Sequence, residues 1–230
     1  MKSTVKLSGE ERRAAIIQAV RRVFAEKGFH GTTTRELAEE AGVSEALLFK
    51  HFPNKEALFS AMQQSCCNEQ AHERFERLKA LEPSASTLVL LVHFLVSRIV
   101  NGCGAGGAEK AVQNRLMLRS LGEDGEFARL FLRRLTSDWI PKIEECIKAA
   151  VGAGDAVDGP VVRHLGGWFA HHLAVILMIH LLPDKPVVDY GVSREKLAEQ
   201  AVWFSLRGMG LKDETIKRYY NPKALGLFAS

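Results

Sequence analysis

The sequence predicts an all-α protein with a small N-terminal domain of three helices and a larger helical domain after it. Apolar residues recur at helical spacing in most segments, as in the stripe from Ile16 to Phe24. No segment shows the alternation of apolar and polar residues that is typical of a strand. The chain has 230 residues, of which 47% are hydrophobic, so it can bury a sizeable core.

Composition favours an ordinary soluble protein. The net charge of +4 permits an acidic partner such as nucleic acid. The cysteines Cys66, Cys67, Cys103 and Cys146 have neither disulfide-framework nor zinc spacing, so we expect reduced thiols in a cytoplasmic protein and no metal site. The uncharged run 164–183 is long enough to cross a bilayer, but it contains four histidines. We therefore expect a helix buried by protein and no membrane association.

The first helix has clear end signals. Ser8 and Glu11 have the spacing of a capping box, and Lys27-Gly28 marks the end of the helix. The apolar stripe of this helix would cover the two short helices that follow.

Two short helices separated by a tight turn come next. Thr33 and Glu36 form a second capping box, so a helix begins just after Thr33. Gly42 allows a sharp turn, and Ser44 caps a helix over Glu45–His51. Two short helices joined in this way describe a helix-turn-helix, which can place its second helix in the major groove of DNA.

The run from Phe29 to Leu58 resembles the DNA-binding domain of the TetR/AcrR family of transcriptional regulators. The matching segments are TTTRELAEEAGVS and LLFKHFPNKEALF, at the family's spacing, and the likeness covers roughly residues 8–62. The resemblance implies a regulator rather than an enzyme, with no cofactor. It also implies a helix-turn-helix DNA-binding domain over residues 1–60 and a helical ligand-binding and dimerisation domain over residues 61–230.

The family pattern also implies which residues meet DNA. Phe49 stands where the family usually has tyrosine, so it cannot hydrogen-bond a phosphate, and Glu45 could accept from cytosine N4 or favour its own helix N-terminus. Arg35 and Lys50 could instead be solvated, and Leu47 could be partly buried. The implied DNA-contacting residues are Thr33, Thr34, Arg35, Ser44, Glu45, Ala46, Leu47, Phe49, Lys50, His51 and Lys55.

The resemblance further implies a repressor that binds a palindromic operator as a homodimer and is released by a small ligand. The dimer would use helices at about 160–182 and 195–210, and the ligand pocket would lie among helices 88–101, 109–121, 127–150 and 160–182. The aromatic character of these segments favours a hydrophobic or aromatic ligand. Candidate lining residues, each of which could equally be ordinary core, are Phe94, Arg98, Met117, Phe131, Trp139, Trp168, Phe169 and His172.

Two other function classes compete with this interpretation. Gly102–Gly107 fits the pattern GxGxxG, and Glu123 follows about twenty residues later, as in an enzyme that binds a dinucleotide. The helical stripe before this loop favours a simple connection between helices. A nonspecific architectural DNA-binding protein is the second alternative.

Overall fold

The computed structural model describes residues 7–65, 76–101, 107–123, 125, 128–129, 132–133, 135–183, 185–222 and 224–225. Within these ranges the chain is helical, with one isolated β-bridge between Ala156 and Leu211, so the predicted all-α class is confirmed. The helices are α1 (Gly9–Lys27), α2 (Thr34–Glu40), α3 (Glu45–His51), α4 (Lys55–Ser65), α5 (Ala85–Asn101), α6 (Gly107–Gly122), α7 (Ile140–Gly152), α8 (Arg163–His180), α9 (Arg194–Gly208) and α10 (Asp213–Tyr219).

Contacts divide the chain into two compact units. The first comprises residues 1–71 and 108–131, and the second comprises residues 72–107 and 132–230. The first unit is therefore not one continuous stretch, because α6 groups with the N-terminal helices. Several residues of interest lie outside the described ranges, namely Cys66, Cys67, Phe131 and 102–106.

The predicted helix ends of the first unit are confirmed. Ser8 with Glu11 and Thr33 with Glu36 both form complete capping boxes. The Ser44 side chain accepts from the backbone N–H of Leu47, which caps α3. These contacts satisfy backbone donors that the first turn of a helix leaves without a partner.

At Pro141 the second unit agrees with the sequence, which predicts a kink or a new helix at this proline. A π-helical segment, Leu135–Trp139, precedes α7, and Pro141 lies in the first turn of α7. Proline lacks an N–H, so it suits a position where no intrahelical donor is needed, and it begins a new helix here. The final helix α10 was not predicted, since its seven residues are too short to show a helical period.

Helix α5 forms the centre of the second unit. It has eleven buried residues, and it packs against α7, α8, α9 and α10. Two glycines bring α8 close to its neighbours: a Cβ at Gly167 would lie 2.8 Å from Ile140 Cδ1, and one at Gly166 would lie 3.0 Å from Met209 Cγ. None of the described helices is both long and apolar enough to span a membrane.

Candidate nucleic-acid interface

One hydrophobic cluster, with three phenylalanine rings in it, joins α1, α2, α3 and α4. Phe24 is fully buried, and its ring centroid lies 4.9 Å from that of Phe59 and 6.5 Å from that of Phe29. Leu37 from α2 and Leu48 from α3 are buried in the same cluster. A three-helix unit built on one core presents its outer helix rigidly.

The turn between α2 and α3 sets the angle of the outer helix. Gly42 has φ of 64°, a left-handed conformation that favours glycine, and the N–H of Val43 donates to the carbonyl of Ala38 at 3.0 Å. Ala38 is only 2% exposed, because α2 is in close contact with its neighbours at this small residue. The predicted helix-turn-helix geometry is present.

Helix α3 buries one side and exposes the other. Leu48 faces the core, whereas the Phe49 side chain next to it is 41% exposed. Of the residues implied on this helix, Ser44, Glu45, Ala46, Phe49 and Lys50 are exposed, and Leu47 and His51 are half-buried. The exposed face combines a cation, an acid and an aromatic ring, which are groups able to meet phosphates and base edges.

The N-terminus of α2 carries a strong electrostatic contact. Lys27 Nζ lies 2.5 Å from Glu36 Oε1, and Glu36 also accepts from the N–H and the hydroxyl of Thr33. The bond from Lys27, followed by those from Thr33, lowers the pKa of Glu36 from 4.5 to about 2. Thr33 is exposed, but its hydroxyl already donates a hydrogen bond to the Glu36 carboxylate.

This depressed pKa predicts a loss of stability in acid. The contribution of ionised Glu36 is complete above pH 4.5 and is lost as the pH falls towards 2, because the folded state must then bind a proton that the contact disfavours. In thermal melts, the Glu36→Gln variant should show a smaller decrease over this interval than the unmodified protein. Glutamine keeps the capping geometry, so equal decreases in both proteins would contradict the assignment.

The two other residues implied at α2 are already engaged. The Thr34 hydroxyl lies 3.0 Å from Glu45 Oε2, and Arg35 Nε lies 3.0 Å from Glu39 Oε1 in a solvent-exposed pair. Exposed pairs of this kind contribute about 0–1 kcal/mol, so Arg35 could exchange Glu39 for a phosphate at little cost.

Lys55 has an internal role. Its Nζ donates to the carbonyls of Phe29 and Thr32 at 2.8 and 2.9 Å, and it lies 4.3 Å from the centre of the Phe29 ring. An ammonium has three donors, and these bonds occupy two of them. Lys55 thus secures the α1–α2 loop to the start of α4.

Two residues of α6 belong to this unit, although the sequence analysis did not identify them. Leu116 is 4% exposed and lies in the same cluster as Phe24. Arg119 donates to the Glu26 carbonyl at the end of α1 and pairs with Glu123 at 2.8 Å. A Cβ at Gly28 would lie 2.5 Å from Arg119 Nε. The absence of a side chain at Gly28 therefore leaves the space that the Arg119 side chain occupies. No local pattern marks such a contact, since 93 residues separate Arg119 from Glu26.

The structure distributes the predicted ligand-lining residues among different surroundings. Phe94 and Trp139 stack at 5.7 Å, and Trp139 and Trp168 both pack against Leu95 and Ile140. Arg98 is half-buried one turn after Phe94. By contrast, Phe169 and His172 are exposed, Met117 packs against the core of the first unit, and Phe131 lies outside the described residues.

The second unit also has a cavity of about 160 Å³, and its lining includes none of the predicted residues. It lies among residues 157–163, 207–210, Ile147 and Gly166. In the described part of the chain, no group of three or more histidine, cysteine, aspartate or glutamate residues is arranged to hold a metal ion.

Comparison with known proteins agrees with this geometry. Residues 16–62 match the family described as "Bacterial regulatory proteins, tetR family". The chain is 47% identical over 51 residues to the HTH-type transcriptional repressor AcnR of Corynebacterium diphtheriae, covering 22% of this chain and 27% of that protein. It is 44% identical over 64 residues to the HTH-type transcriptional regulator RutR of Escherichia coli, covering 25% of this chain and 30% of that protein.

Both matches therefore span less than a third of the relatives' own length. A solved structure extends the likeness of the fold over most of the chain. AibR in complex with isovaleryl coenzyme A and operator DNA superposes with a TM-score of 0.60 at 18% identity, covering 84% of this chain and 97% of that one.

Proposed function

We propose that the chain is a DNA-binding transcriptional regulator of the TetR family, since residues 16–62 match that family, and that it acts as a ligand-responsive repressor. It binds a palindromic operator as a homodimer in the cytoplasm, and a small hydrophobic or aromatic molecule releases it. The observation that carries this proposal is the exposed face of α3 on a rigid three-helix unit.

In this proposal α3 enters the major groove. The exposed N-terminal residues of α3 meet base edges, while Arg35 and Lys50 contact phosphates. Lys55 acts mainly by holding the α1–α2 loop, since two of its donors are bonded to carbonyls, and we assign its remaining donor to a phosphate. The electrostatic part of the affinity weakens with salt.

Exposed apolar side chains on α8 and α9 support a homodimer. Phe169 and Ile176 on α8 are 56% and 46% exposed, and Phe204 on α9 is 72% exposed. Large apolar groups exposed at helical spacing are typical of a surface that a partner covers. Two copies of this face would form a four-helix bundle with twofold symmetry.

Effector release would act through the spacing of the two DNA-binding units. Successive major grooves on one face of DNA are about 34–36 Å apart, so a dimer binds only when its recognition helices match that distance. A ligand that prefers a state with another spacing lowers operator affinity. The aromatic residues Phe94, Trp139 and Trp168 are suited to an apolar or aromatic ligand. AibR, which shares the fold, was solved in complex with isovaleryl coenzyme A and operator DNA, which supports a response to a small molecule.

Selection of genomic fragments with the purified protein tests the proposal. A repressor should recover a small set of palindromic sites and prefer them over random duplex by at least about 10³. Equal binding to random duplex would instead identify a nonspecific architectural protein.

Replacing Lys50 with alanine should weaken operator binding by about 1–3 kcal/mol, since the variant loses a charged contact at the DNA. The measurement is fluorescence anisotropy with a labelled operator at fixed salt. Lys148→Ala removes an exposed lysine of α7 in the second unit and changes net charge equally, so it serves as the control. Equal affinities for the two variants would count against the proposed DNA face.

A further inference from the structure

The imidazole of His171 is one of three polar groups in the described part of the second unit that have a buried atom without a hydrogen-bond partner, beside Arg163 and Tyr220. The residue is 8% exposed, and its Nδ1 is buried with no hydrogen-bond partner among the described residues. A buried polar atom without a partner is costly, and most native proteins avoid it. His172 beside it is exposed, because neighbouring residues of a helix point about 100° apart.

The surroundings of His171 are aromatic and apolar. Its ring meets the Trp168 ring edge-on, at 6.0 Å between centroids and an angle of 88°. One turn earlier on the same side of α8, Gly167 adjoins Ile140 and Ile143. Trp168 packs against Leu95 and Ile140, as does Trp139 from the Phe94–Trp139 stack.

We propose that His171 is the polar anchor of the effector site, and that the site takes a neutral aromatic molecule with one hydroxyl group, a phenol. This inference names the ligand class for the response proposed above and rests on that function. The sequence predicts His172, rather than His171, as a residue of the ligand pocket.

The chemistry of the site selects each feature of this ligand. Burial, with a smaller effect from His172, lowers the pKa of His171 to about 4, so the ring is neutral near pH 7 and offers no charge to an anion. A hydroxyl both donates and accepts, so it satisfies Nδ1 in either tautomer. An aromatic body matches the edge-on contact that Trp168 already makes. Trp139 and Trp168 are half-buried, which gives the site an edge that solvent reaches.

Phenol and toluene test the anchor, since they share a shape and differ in one hydroxyl. Titration calorimetry on the 230-residue chain should show phenol binding about tenfold tighter than toluene. His171→Leu should reverse this preference, because the hydroxyl then enters an apolar site without a partner. His171→Asn keeps a hydrogen-bonding atom near the position of Nδ1 and should retain a preference for phenol. The exposed His164 lies on the same helix, so His164→Leu is the matched control and should behave like the unmodified protein.

If His171 had only a structural role, its variants would differ in stability rather than in their preference for phenol over toluene. Under the proposal, His171→Leu removes a polar atom without a partner, so its thermal midpoint should equal or exceed that of the unmodified protein while the phenol preference is lost. The proposal is overturned if the unmodified protein fails to bind phenol at millimolar concentration or prefers toluene, or if His171→Leu keeps the preference. If His171→Leu does not fold, the Asn variant decides, and loss of phenol preference in a folded Asn variant overturns the proposal.

Operator binding separates this inference from the proposed function. Phenol should lower the affinity of the unmodified protein for a selected operator and leave that of His171→Leu unchanged. If the protein selects an operator and phenol has no effect on operator binding, the proposed role of His171 is refuted and the proposed repressor function is retained. A preference for phenol that depends on His171, in a protein that selects no operator, would refute the repressor instead.

Discussion

Replacing Phe204 with aspartate is expected to convert the proposed homodimer into monomers and to lower operator affinity by about a hundredfold or more. Phe204 is 72% exposed in the single chain and lies on the α9 face proposed to meet the partner. On a twofold interface each substitution appears twice, and an unpaired buried carboxylate costs several kcal/mol. Losing the dimer also removes the gain from holding two half-sites at once, which is about 10²–10⁴.

Light scattering coupled to size exclusion measures the first effect, and operator anisotropy the second. The unmodified chain should have twice its mass of 25.5 kDa at micromolar concentration. Phe204→Leu keeps an apolar side chain and should stay dimeric. Leu121→Asp places the same charge at a 57% exposed position of the first unit and should also stay dimeric. If the Phe204→Asp variant remains dimeric, Phe204 on α9 does not lie in the dimer interface.

Phe24→Ala is expected to destabilise the first unit by about 3–5 kcal/mol and to abolish operator binding at 37 °C. Phe24 is fully buried and touches the rings of Phe29 and Phe59, so truncation leaves a cavity among α1, α4 and the α1–α2 loop. A loss of this size is a large share of the stability of a small unit. The dimer should persist, because its proposed helices lie in the second unit.

Calorimetry should resolve this loss as an early transition that the unmodified protein lacks, and light scattering should still report a dimer. Phe24→Leu is the matched variant, because it retains most of the volume and should cost less than about 1.5 kcal/mol. If both variants melt like the unmodified protein, Phe24 is not central to this core. If Phe24→Ala is monomeric, the proposed dimer depends on the core of the first unit.

Local signals in the sequence were reliable wherever the chain interacts with itself over a few residues. Capping boxes at Ser8 and Thr33, the cap at Ser44 and the turn at Gly42 all depend on neighbours within five positions, and all are present in the structure. The outward face of α3 also follows from helical spacing once Leu48 is assigned to the core.

Contacts between segments that are distant in the sequence could not be predicted from local patterns. Arg119 donates to the carbonyl of Glu26, and Lys55 donates to the carbonyls of Phe29 and Thr32. No residue type or spacing near Arg119 or Lys55 in the sequence indicates these partners. The apolar character of Met117 predicts a place in the ligand pocket, whereas this residue belongs to the first unit and packs against its core. An apolar residue shows that it will be buried, but not against which core.

The sequence alone determined α1, α2 and α3 with their caps and the likeness of residues 16–62 to the tetR family, because these depend on the order of neighbouring residues. The tertiary structure alone decided that α6 completes the first unit and that His171, rather than His172, faces the interior of the second. The physical reason is that burial is set by which helices pack together. A histidine pair shows the same local pattern whichever member turns inward, and only the packing of α8 against its neighbours selects one.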